Sequence, residues 1–308
     1  MQKILLFIAS LFYFNFLFAK NEIKSWQGIH ETPLSRLEQQ FAEPPVEFAN
    51  HVIWGWEGKM DKKTICNDLD SIKKKGFRAV IFEAGYKLPF KYLSEEWFKA
   101  IRTGVLEAKK RGMKVWIIDE GKYPSGFAGG KFSQERPDLR MQALVIGDTI
   151  QIKRGEVMTN HKIAPEIISA VAVSTSGAPN RTVAINNGEI SFNAGLDDWK
   201  ILLVKSDFRT AVTRAVNNPN GGKDATNSLC DYLNPVAVQQ FIDWTHEQYK
   251  KYLGKELGTT VLGFRGDEPD YAHLPWTPSI VQTFKDTKGY DPTPYLASFF
   301  TTSPTIQE

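Results

Sequence analysis

Cysteine, unbalanced charge and long apolar runs are scarce in this sequence. Its 308 residues contain two cysteines, Cys66 and Cys230, which make at most one disulfide and do not reveal whether they meet. The formal net charge is +3, and no block of like charges suits a phosphate backbone, so we expect no nucleic-acid partner. The 16 prolines and 23 glycines are too few for a collagen-like or low-complexity chain, and 42% apolar residues can bury a globular core.

Motifs of several enzyme classes are also missing. The sequence has no His-Glu-x-x-His, no cysteine pair at zinc spacing, no Gly-x-Ser-x-Gly and no phosphate loop. The five histidines are scattered, which argues against a metal site built from imidazoles. His246 follows Thr245 in the middle of a predicted helix, where we expect it to pack or to face solvent. Calcium held by carboxylates and carbonyls stays open.

One apolar run stands at the start of the chain. Met1–Lys3 supplies a positive charge, and Ile4–Ala19 is nearly all apolar and ends in a small residue, which is the pattern of a secretory signal peptide. The run has 16 residues, whereas a spanning helix needs about 20. We therefore predict that residues 1–19 are a signal peptide and that the mature protein is periplasmic or secreted, without a membrane segment. An uncleaved membrane anchor is the alternative.

Four apolar runs of strand type alternate with amphipathic helical segments. The runs are residues 51–56, 78–83, 114–119 and 261–265. Asp61 and Ser94 can cap the helices that follow the first two runs, and Asn234-Pro235 marks a third helix start. Continuous apolar strands that alternate with helices are typical of a parallel sheet buried on both faces. No Gly-x-Gly-x-x-Gly follows the first strand, which disfavours an open dinucleotide-binding sheet.

We predict an α/β chain of the (β/α)8 TIM-barrel type that is incomplete, with about four βα units and an inserted antiparallel β subdomain. Residues 140–230 indicate the insertion, because short β-rich segments alternate there with Gly, Asn, Pro and Ser, without helical periodicity. The predicted parts are a signal peptide (1–19), a polar leading segment (20–48), the first part of the barrel (49–139), the inserted β subdomain (140–230) and the continuation of the barrel (231–308).

Acidic residues stand at or just after the end of every predicted strand. They are Glu57, Glu83, Asp119-Glu120 and Asp267-Glu268, in strand order. The carboxyl ends of parallel strands meet at one edge of a sheet, and neighbouring strands lie about 4.8 Å apart. Such acids can reach the roughly 5–9.5 Å separation of a glycosidase, in which one carboxyl group protonates the leaving oxygen and the other activates water or attacks.

The four acidic positions differ in their surroundings. We expect Glu57 and Glu83 to cap helices or to be solvated, as isolated acids near strand ends commonly are. Asp119-Glu120 opens a loop with four glycines, and a proline directly after Glu268 stops the strand. Function is therefore expected at the third and fourth strand ends.

Aromatic residues near the strand ends favour a sugar ligand. Trp54, Trp56 and Tyr123 fall at or just after these ends, and aromatic faces stack on the apolar face of a sugar ring. The alternative for Trp54 is packing in the core, which is common for an aromatic on a strand.

Several motifs of the chain occur in one order. They are His51–Gly58, Asp119–Gly130, Asp231–Pro235, Gly266–Pro269 and Lys288–Asp291. The second is the most specific and reads Asp-Glu-Gly-Lys-Tyr-Pro-Ser-Gly-Phe-Ala-Gly-Gly. The series resembles the amino-terminal part of glycoside hydrolase family 106, the α-L-rhamnosidases and their relatives, over roughly residues 45–300 apart from the β insertion.

The resemblance implies a (β/α)8 barrel, inversion at the anomeric carbon, two catalytic glutamates and often a calcium ion near the sugar. Glu268 matches the general acid by strand order, whereas nothing after it matches the family's second glutamate, so Glu120 is the candidate within this chain. The predicted substrate contacts are Trp54, Trp56, Asp119, Tyr123 and Asp267.

The sequence thus predicts an exported glycoside hydrolase that acts on an oligosaccharide or polysaccharide, with rhamnosides as the leading substrate. The alternatives are a truncated or non-catalytic carbohydrate-binding relative and a glycosidase of another barrel family, such as a galactosidase-like enzyme. An incomplete barrel exposes strand edges and apolar surface, so self-association through an open edge is also expected of such a chain.

Overall fold

The computed structural model describes residues 33–43, 50–210, 214–215, 228–267, 269 and 274–301, with the backbone alone at 122–123 and 214–215. The predicted signal peptide and most of the leading segment lie outside these residues. The first described element is an exposed helix, α1 (Leu34–Ala42). No helix within the described ranges has the length and apolar character needed to cross a membrane.

Four parallel strands form one sheet, in the order β1–β2–β3–β13. Their bounds are β1 (His51–Trp56), β2 (Ala79–Ala84), β3 (Lys114–Ile118) and β13 (Val261–Arg265). The register pairs Ile53 with Ile81 and Ile81 with Trp116. These are the four strands that the apolar runs predict, each within one residue at either end.

Helices connect these strands and begin at the predicted caps. The helices are α2 (Lys62–Lys74) between β1 and β2, α3 (Glu95–Lys110) between β2 and β3, and α5 (Pro235–Trp244) with α6 (His246–Leu253) before β13. Each cap side chain accepts a backbone N–H of the first turn, which satisfies a group without an intrahelical partner. The bonds run from Thr64 to Asp61 Oδ1 (2.9 Å), from Trp97 to Ser94 Oγ (3.3 Å) and from Val236 to Asn234 Oδ1 (3.0 Å).

Alternate residues of the parallel strands form the main core against these helices. Trp56, Phe82 and Ile117 are fully buried there, together with apolar side chains of α2, α3 and α6. Gly104 of α3 lets the helix approach closely, because a Cβ at this position would lie 2.9 Å from the Phe82 ring. On the opposite side of the sheet, Ile53 is 47% exposed.

Antiparallel strands occupy much of the chain between β3 and β13, and one further strand, β14, follows β13. One sheet has the order β14–β5–β11–β7–β8 and another the order β6–β10–β9. Their bounds are β5 (Gln142–Ile152), β6 (Val157–Lys162), β7 (Ile167–Ser174), β8 (Arg181–Thr182), β9 (Ile185–Asn186), β10 (Glu189–Asn193), β11 (Trp199–Phe208) and β14 (Pro275–Trp276). The remaining elements are β4 (Lys122–Tyr123), paired with β12 (Arg214–Ala215), α4 (Lys131–Glu135), α7 (Ile280–Lys288) and short 3-10 helices at 128–130, 137–139, 254–256 and 293–300.

The segment after β13 packs on the antiparallel sheet. Leu296 and Ala297 of the 3-10 helix at 293–300 lie in a cluster with Leu202 and Val204 of β11. The N–H of Ala297 also donates to Ser169 Oγ at 3.0 Å. The sequence predicts these last helices as a continuation of the barrel, and the structure buries Leu296 and Ala297 against the antiparallel strands.

The architecture is therefore a mixed α/β fold with an open parallel sheet. The described residues form no closed barrel, so the predicted (β/α)8 arrangement is not confirmed by them. The thiols of Cys66 and Cys230 are both free, the first partly exposed and the second buried.

Candidate active site

Asp119 and Asp267 lie at neighbouring strand ends and are joined through Ser125. Asp119 follows β3 directly, and Asp267 follows β13 after one glycine. The Ser125 hydroxyl donates to Asp119 Oδ1 at 2.7 Å and accepts the backbone N–H of Asp267 at 2.8 Å. The N–H of Ser125 in turn donates to the carbonyl of Asp267 at 2.9 Å. The two predicted substrate contacts are thus brought together, and a serine that the sequence did not single out connects them.

The surroundings of Asp119 stabilise the neutral form of its carboxyl group, compared with the same group in water. Its side chain is 10% exposed, and burial raises its pKa above the usual range. The hydrogen bond from Ser125 and a positive charge on His246 act in the opposite direction, while the negative charge of Asp267 adds to the rise. Asp119 is therefore a carboxyl group whose charge depends on its immediate neighbours.

His246 faces Asp119, which the sequence did not predict. Its Nε2 lies 3.6 Å from Asp119 Oδ2. The predicted continuous helix is broken between α5 and α6 at Thr245, whose φ of −116° and ψ of −83° are not helical. This break, which the apolar periodicity conceals, turns the His246 side chain towards the strand ends. Burial lowers the pKa of His246, against the opposing effects of Asp119 and Glu247.

Arg265 is a second residue that sequence reasoning missed. It is the last residue of β13, and its Nη2 lies 3.7 Å from Asp267 Oδ1. Both side chains are partly exposed, so this ion pair is weak. It nevertheless places a cation beside the Asp267 carboxylate at the open side of the site.

Glu120 is fully buried and tied to the backbone of its own loop. Its carboxylate accepts N–H groups from Gly121 (2.7 Å), Ala128 (2.6 Å) and Gly129 (3.0 Å). Burial raises the pKa of Glu120 to about 7, although the three N–H donors lower it. The position opposes the predicted role as second catalytic carboxylate, because a group with no exposed surface and three internal partners cannot contact a sugar.

Tyr232 supports the same loop from the Asp231–Pro235 motif. Its hydroxyl donates to the carbonyl of Ser125 in a short hydrogen bond. Its ring lies over Gly126, whose φ is +122° and where a Cβ would come within 2.9 Å of the ring. The side chain of Tyr123, a predicted substrate contact, lies outside the described part of the chain, and its backbone pairs with Arg214.

The two tryptophans of β1 belong to the core face of the sheet. Trp56 is fully buried and packs against Phe82 and Trp97 at centroid distances of 5.0 and 5.7 Å. Its ring points between the sheet and α3, and this burial opposes the predicted contact with sugar. Trp54 is partly buried and packs against Phe82 at 5.5 Å. Burial raises the pKa of the nearby Asp68 carboxyl group, and a hydrogen bond with Trp54 opposes this rise.

The remaining acids of the strand ends differ in exposure. Glu57 is exposed, and Glu83 is partly buried beside Gly55, where a Cβ would lie 3.6 Å from Glu83 Oε2. Glu268, the predicted general acid, lies outside the described residues. Over the part of the chain that the structure describes, no three His, Cys, Asp or Glu side chains come together as a metal site.

Comparisons with known proteins agree on one class of enzyme. The model of the α-L-rhamnosidase family, glycoside hydrolase family 106, matches residues 160–302. The chain is 23% identical over 328 residues to a Formosa agariphila protein named "Putative beta-glucuronidase", covering 89% of this chain and 27% of that protein. A rhamnosidase structure from Novosphingobium sp. PP1Y matches with a TM-score of 0.56 and 12% identity, over 88% of this chain and 43% of that one.

These matches show that the chain is similar to glycoside hydrolases. Within that class, the family match confirms the resemblance to glycoside hydrolase family 106 that the motifs indicate. The matched residues include β7–β11, which are most of the antiparallel strands, although the sequence of these strands contains none of the motifs that carry the resemblance. The chain spans about a quarter of the curated relative and less than half of the rhamnosidase, whose structure shows a shared fold alone at this identity.

Proposed function

We propose that this chain carries the amino-terminal part of an exported glycoside hydrolase that cleaves glycosidic bonds by carboxylate general acid/base catalysis. An α-L-rhamnoside is the leading substrate, and Glu268 is the general acid. The proposal for Glu268 depends on the family resemblance, since the residue directly follows Asp267 in the Gly-Asp-Glu-Pro motif.

The observation that supports this proposal best is the Ser125 bridge between two strand ends. Asp119 Oδ1 and the N–H of Asp267 share the Ser125 hydroxyl, at 2.7 and 2.8 Å. Polar groups from neighbouring parallel strands therefore converge at the edge where α/β enzymes bind their ligands. Asp119 and Asp267 are suited to accept hydrogen bonds from sugar hydroxyls, and Arg265 can donate them.

The test is the full chain with Glu268→Gln, assayed on aryl α-L-rhamnosides. An acid that protonates the leaving oxygen contributes about 10²–10⁴-fold, so we expect turnover to fall by that factor. Glu57→Gln is the matched control, because Glu57 is an exposed acid at the end of another strand. Equal turnover of wild type and Glu268→Gln would remove Glu268 from the mechanism. Aryl glucuronides and galactosides in the same panel separate the substrate alternatives.

A non-catalytic carbohydrate-binding relative is the second candidate. The burial of Glu120 favours it, because the in-chain candidate for a second carboxylate is occupied by the loop backbone. Calorimetric titration with rhamnose-containing oligosaccharides distinguishes the two. Binding without hydrolysis of any aryl glycoside supports the binding protein, and hydrolysis supports the enzyme.

Two further proposals concern the whole protein. Export is supported by the signal-like pattern of residues 1–19, and fractionation of cells that express the chain with and without these residues tests it. Self-association is supported by the open parallel sheet, in which Ile53 is 47% exposed. Light scattering across a concentration series tests it, and a monomer at every concentration contradicts it.

A further inference from the structure

A continuous line of polar contacts links the two strand ends to the break between α5 and α6. It runs from the Asp267 N–H to Ser125 Oγ, from Ser125 Oγ to Asp119 Oδ1, from Asp119 Oδ2 to His246 Nε2, from His246 Nδ1 to Thr245 Oγ1 and from Thr245 Oγ1 to the Phe241 carbonyl. The separations are 2.8, 2.7, 3.6, 2.9 and 2.6 Å in that order. Each group between the two ends of the line has two neighbours, so the positions of the protons constrain one another.

The hydroxyl proton of Thr245 determines which groups donate and which accept at one end of the line of polar contacts. Its hydroxyl has one proton, and the Phe241 carbonyl at 2.6 Å is the shorter of its two contacts. If that carbonyl takes the proton, His246 Nδ1 must donate to Thr245 Oγ1, which lies 2.9 Å away. Nε2 is then either a lone pair that faces Asp119 or the second N–H of an imidazolium.

The proton of Ser125 fixes the other end. Ser125 Oγ accepts the N–H of Asp267, so its own proton goes to Asp119 Oδ1. Asp119 Oδ2 then faces His246 Nε2. Two acceptors repel each other at 3.6 Å, and two donors do the same, so exactly one proton between them gives an attractive contact.

Charged groups surround this pair from several elements. Asp267 and Arg265 approach from the end of β13, and Glu120 stands next to Asp119 after β3. Glu247 on α6 itself favours the charged form of His246. Phe264 and Phe241 pack edge-on against the imidazole at 4.4 and 5.7 Å, which restricts the position of the ring.

We propose that Asp119 and His246 share one proton and that His246 is a positioning residue of the candidate site, which sets the charge and the orientation of Asp119. The role in hydrolysis rests on the proposed function, whereas the shared proton does not. In the neutral arrangement the proton lies on Asp119 Oδ2, and no second negative charge stands beside Asp267. When positive charge develops on a bound sugar, the two side chains approach from 3.6 Å to hydrogen-bond distance and the proton moves from Oδ2 to Nε2. A carboxylate then forms while the total charge of the pair stays the same.

Histidine side-chain NMR of the full ¹⁵N-labelled chain tests the shared proton without any substrate. His246→Gln assigns its signals among those of the five histidines. We expect His246 Nδ1 to carry a proton across the titration, either in the less common neutral tautomer or in the imidazolium. An Nε2–H tautomer at neutral pH would overturn the proposal.

The second measurement is the titration of His246 in a variant that lacks the negative charge of Asp119. Asp119→Asn should lower the titration midpoint of His246 by about one pH unit or more, because an opposite charge at this distance favours the imidazolium. Glu247→Gln is the control from the same helix and should have a smaller effect. An equal midpoint in wild type and Asp119→Asn contradicts the pair. Thr245→Val keeps the imidazole and removes the partner of Nδ1, so the neutral tautomer should shift towards Nε2–H. This variant provides the test even if His246→Gln folds poorly.

Kinetics on an aryl glycoside separates this proposal from the proposed function. If the wild-type chain hydrolyses it, His246→Gln should lower kcat about ten- to a hundredfold with little change in KM and should displace one limb of the pH profile. His161→Gln, a variant of an exposed histidine on β6, should leave both unchanged. No hydrolysis by wild type contradicts the proposed function and leaves the NMR result standing. Hydrolysis with an unchanged pH profile in His246→Gln contradicts the positioning role.

Discussion

The carboxylate of Glu120 accepts the backbone N–H of Ala128 at 2.6 Å, across eight positions of a glycine-rich loop. Ala128 has a φ of +49°, and the following glycine has +64°, so successive N–H groups point into one concave space. Such a nest of N–H groups binds anions, and here the chain supplies its own. Glu120 therefore organises the loop that brings Ser125 to Asp119.

A pH dependence of stability follows from this burial. The pKa of Glu120 is raised from 4.5 to about 7, so the folded state binds more protons than the unfolded state between these two values. The stabilising contribution of the protonated carboxyl group is complete below about 4.5 and is lost as the pH rises through about 7. We expect the free energy of unfolding to fall over that window, as measured by urea denaturation at several pH values.

Glu120→Gln isolates this contribution. The amide cannot titrate, so the slope of stability against pH between about 5 and 7 should become less negative than in wild type. The variant should also be less stable by about 1–3 kcal/mol, because an amide N–H₂ would face a backbone N–H donor. Glu166→Gln, at an exposed glutamate, is the control. Identical slopes for Glu120→Gln and wild type would contradict the assignment.

Ser125→Ala should separate the two strand ends. The substitution removes a donor to Asp119 and an acceptor for the Asp267 N–H, and the partly buried groups lose their partners. We expect a loss of about 1–3 kcal/mol in the free energy of unfolding and faster hydrogen exchange at the Asp267 amide. Ser191→Ala is the matched control, because Ser191 Oγ also accepts a backbone N–H but at an exposed position. Equal exchange rates at Asp267 in Ser125→Ala and wild type would show that the bridge is not formed.

The strands and helix starts could be predicted because their causes are local. Apolar continuity defines β1, β2, β3 and β13, and the cap at Asp61 depends on one side chain and the N–H three residues later. The proximity of Asp119 and Asp267 could also be predicted, since the carboxyl ends of parallel strands meet at one edge.

The parts of the site that the sequence did not predict depend on the backbone conformation. The periodicity of apolar residues carries no information about that conformation. The break at Thr245 leaves the apolar pattern intact on both sides, so nothing in the sequence turns His246 towards Asp119. Glu120 accepts N–H groups from residues eight and nine positions away, which requires the loop conformation and its positive φ values. For Trp56, the strand position fixes the residue but not which face of the sheet its ring occupies.

The two tryptophans of β1 should respond differently to truncation. Trp56→Ala should cost about 3–5 kcal/mol, because the fully buried ring packs between the sheet and α3. Trp56→Phe keeps most of that packing and should leave any sugar binding unchanged. Trp54→Ala should cost less stability, since its ring is partly buried, and it should weaken oligosaccharide binding if its exposed portion stacks on a sugar. Denaturation measures the stability of each variant, and calorimetry measures its oligosaccharide binding. Reduced binding by Trp56→Phe would show that Trp56 contacts the sugar.

Gly126→Ala should destabilise the loop through a steric contact as well as through backbone strain. At Gly126 the φ is +122° and a Cβ would lie 2.9 Å from Cε1 of Tyr232, whose hydroxyl anchors Ser125. Gly177 offers the matched comparison, because its φ is +92° and a Cβ there would meet nothing within 4 Å. Gly177→Ala should cost about 1 kcal/mol from strain alone, and Gly126→Ala about 1–3 kcal/mol more. If urea denaturation gives equal losses of stability for Gly126→Ala and Gly177→Ala, the Tyr232 side chain moves aside without cost. It then does not hold the loop against the strand ends.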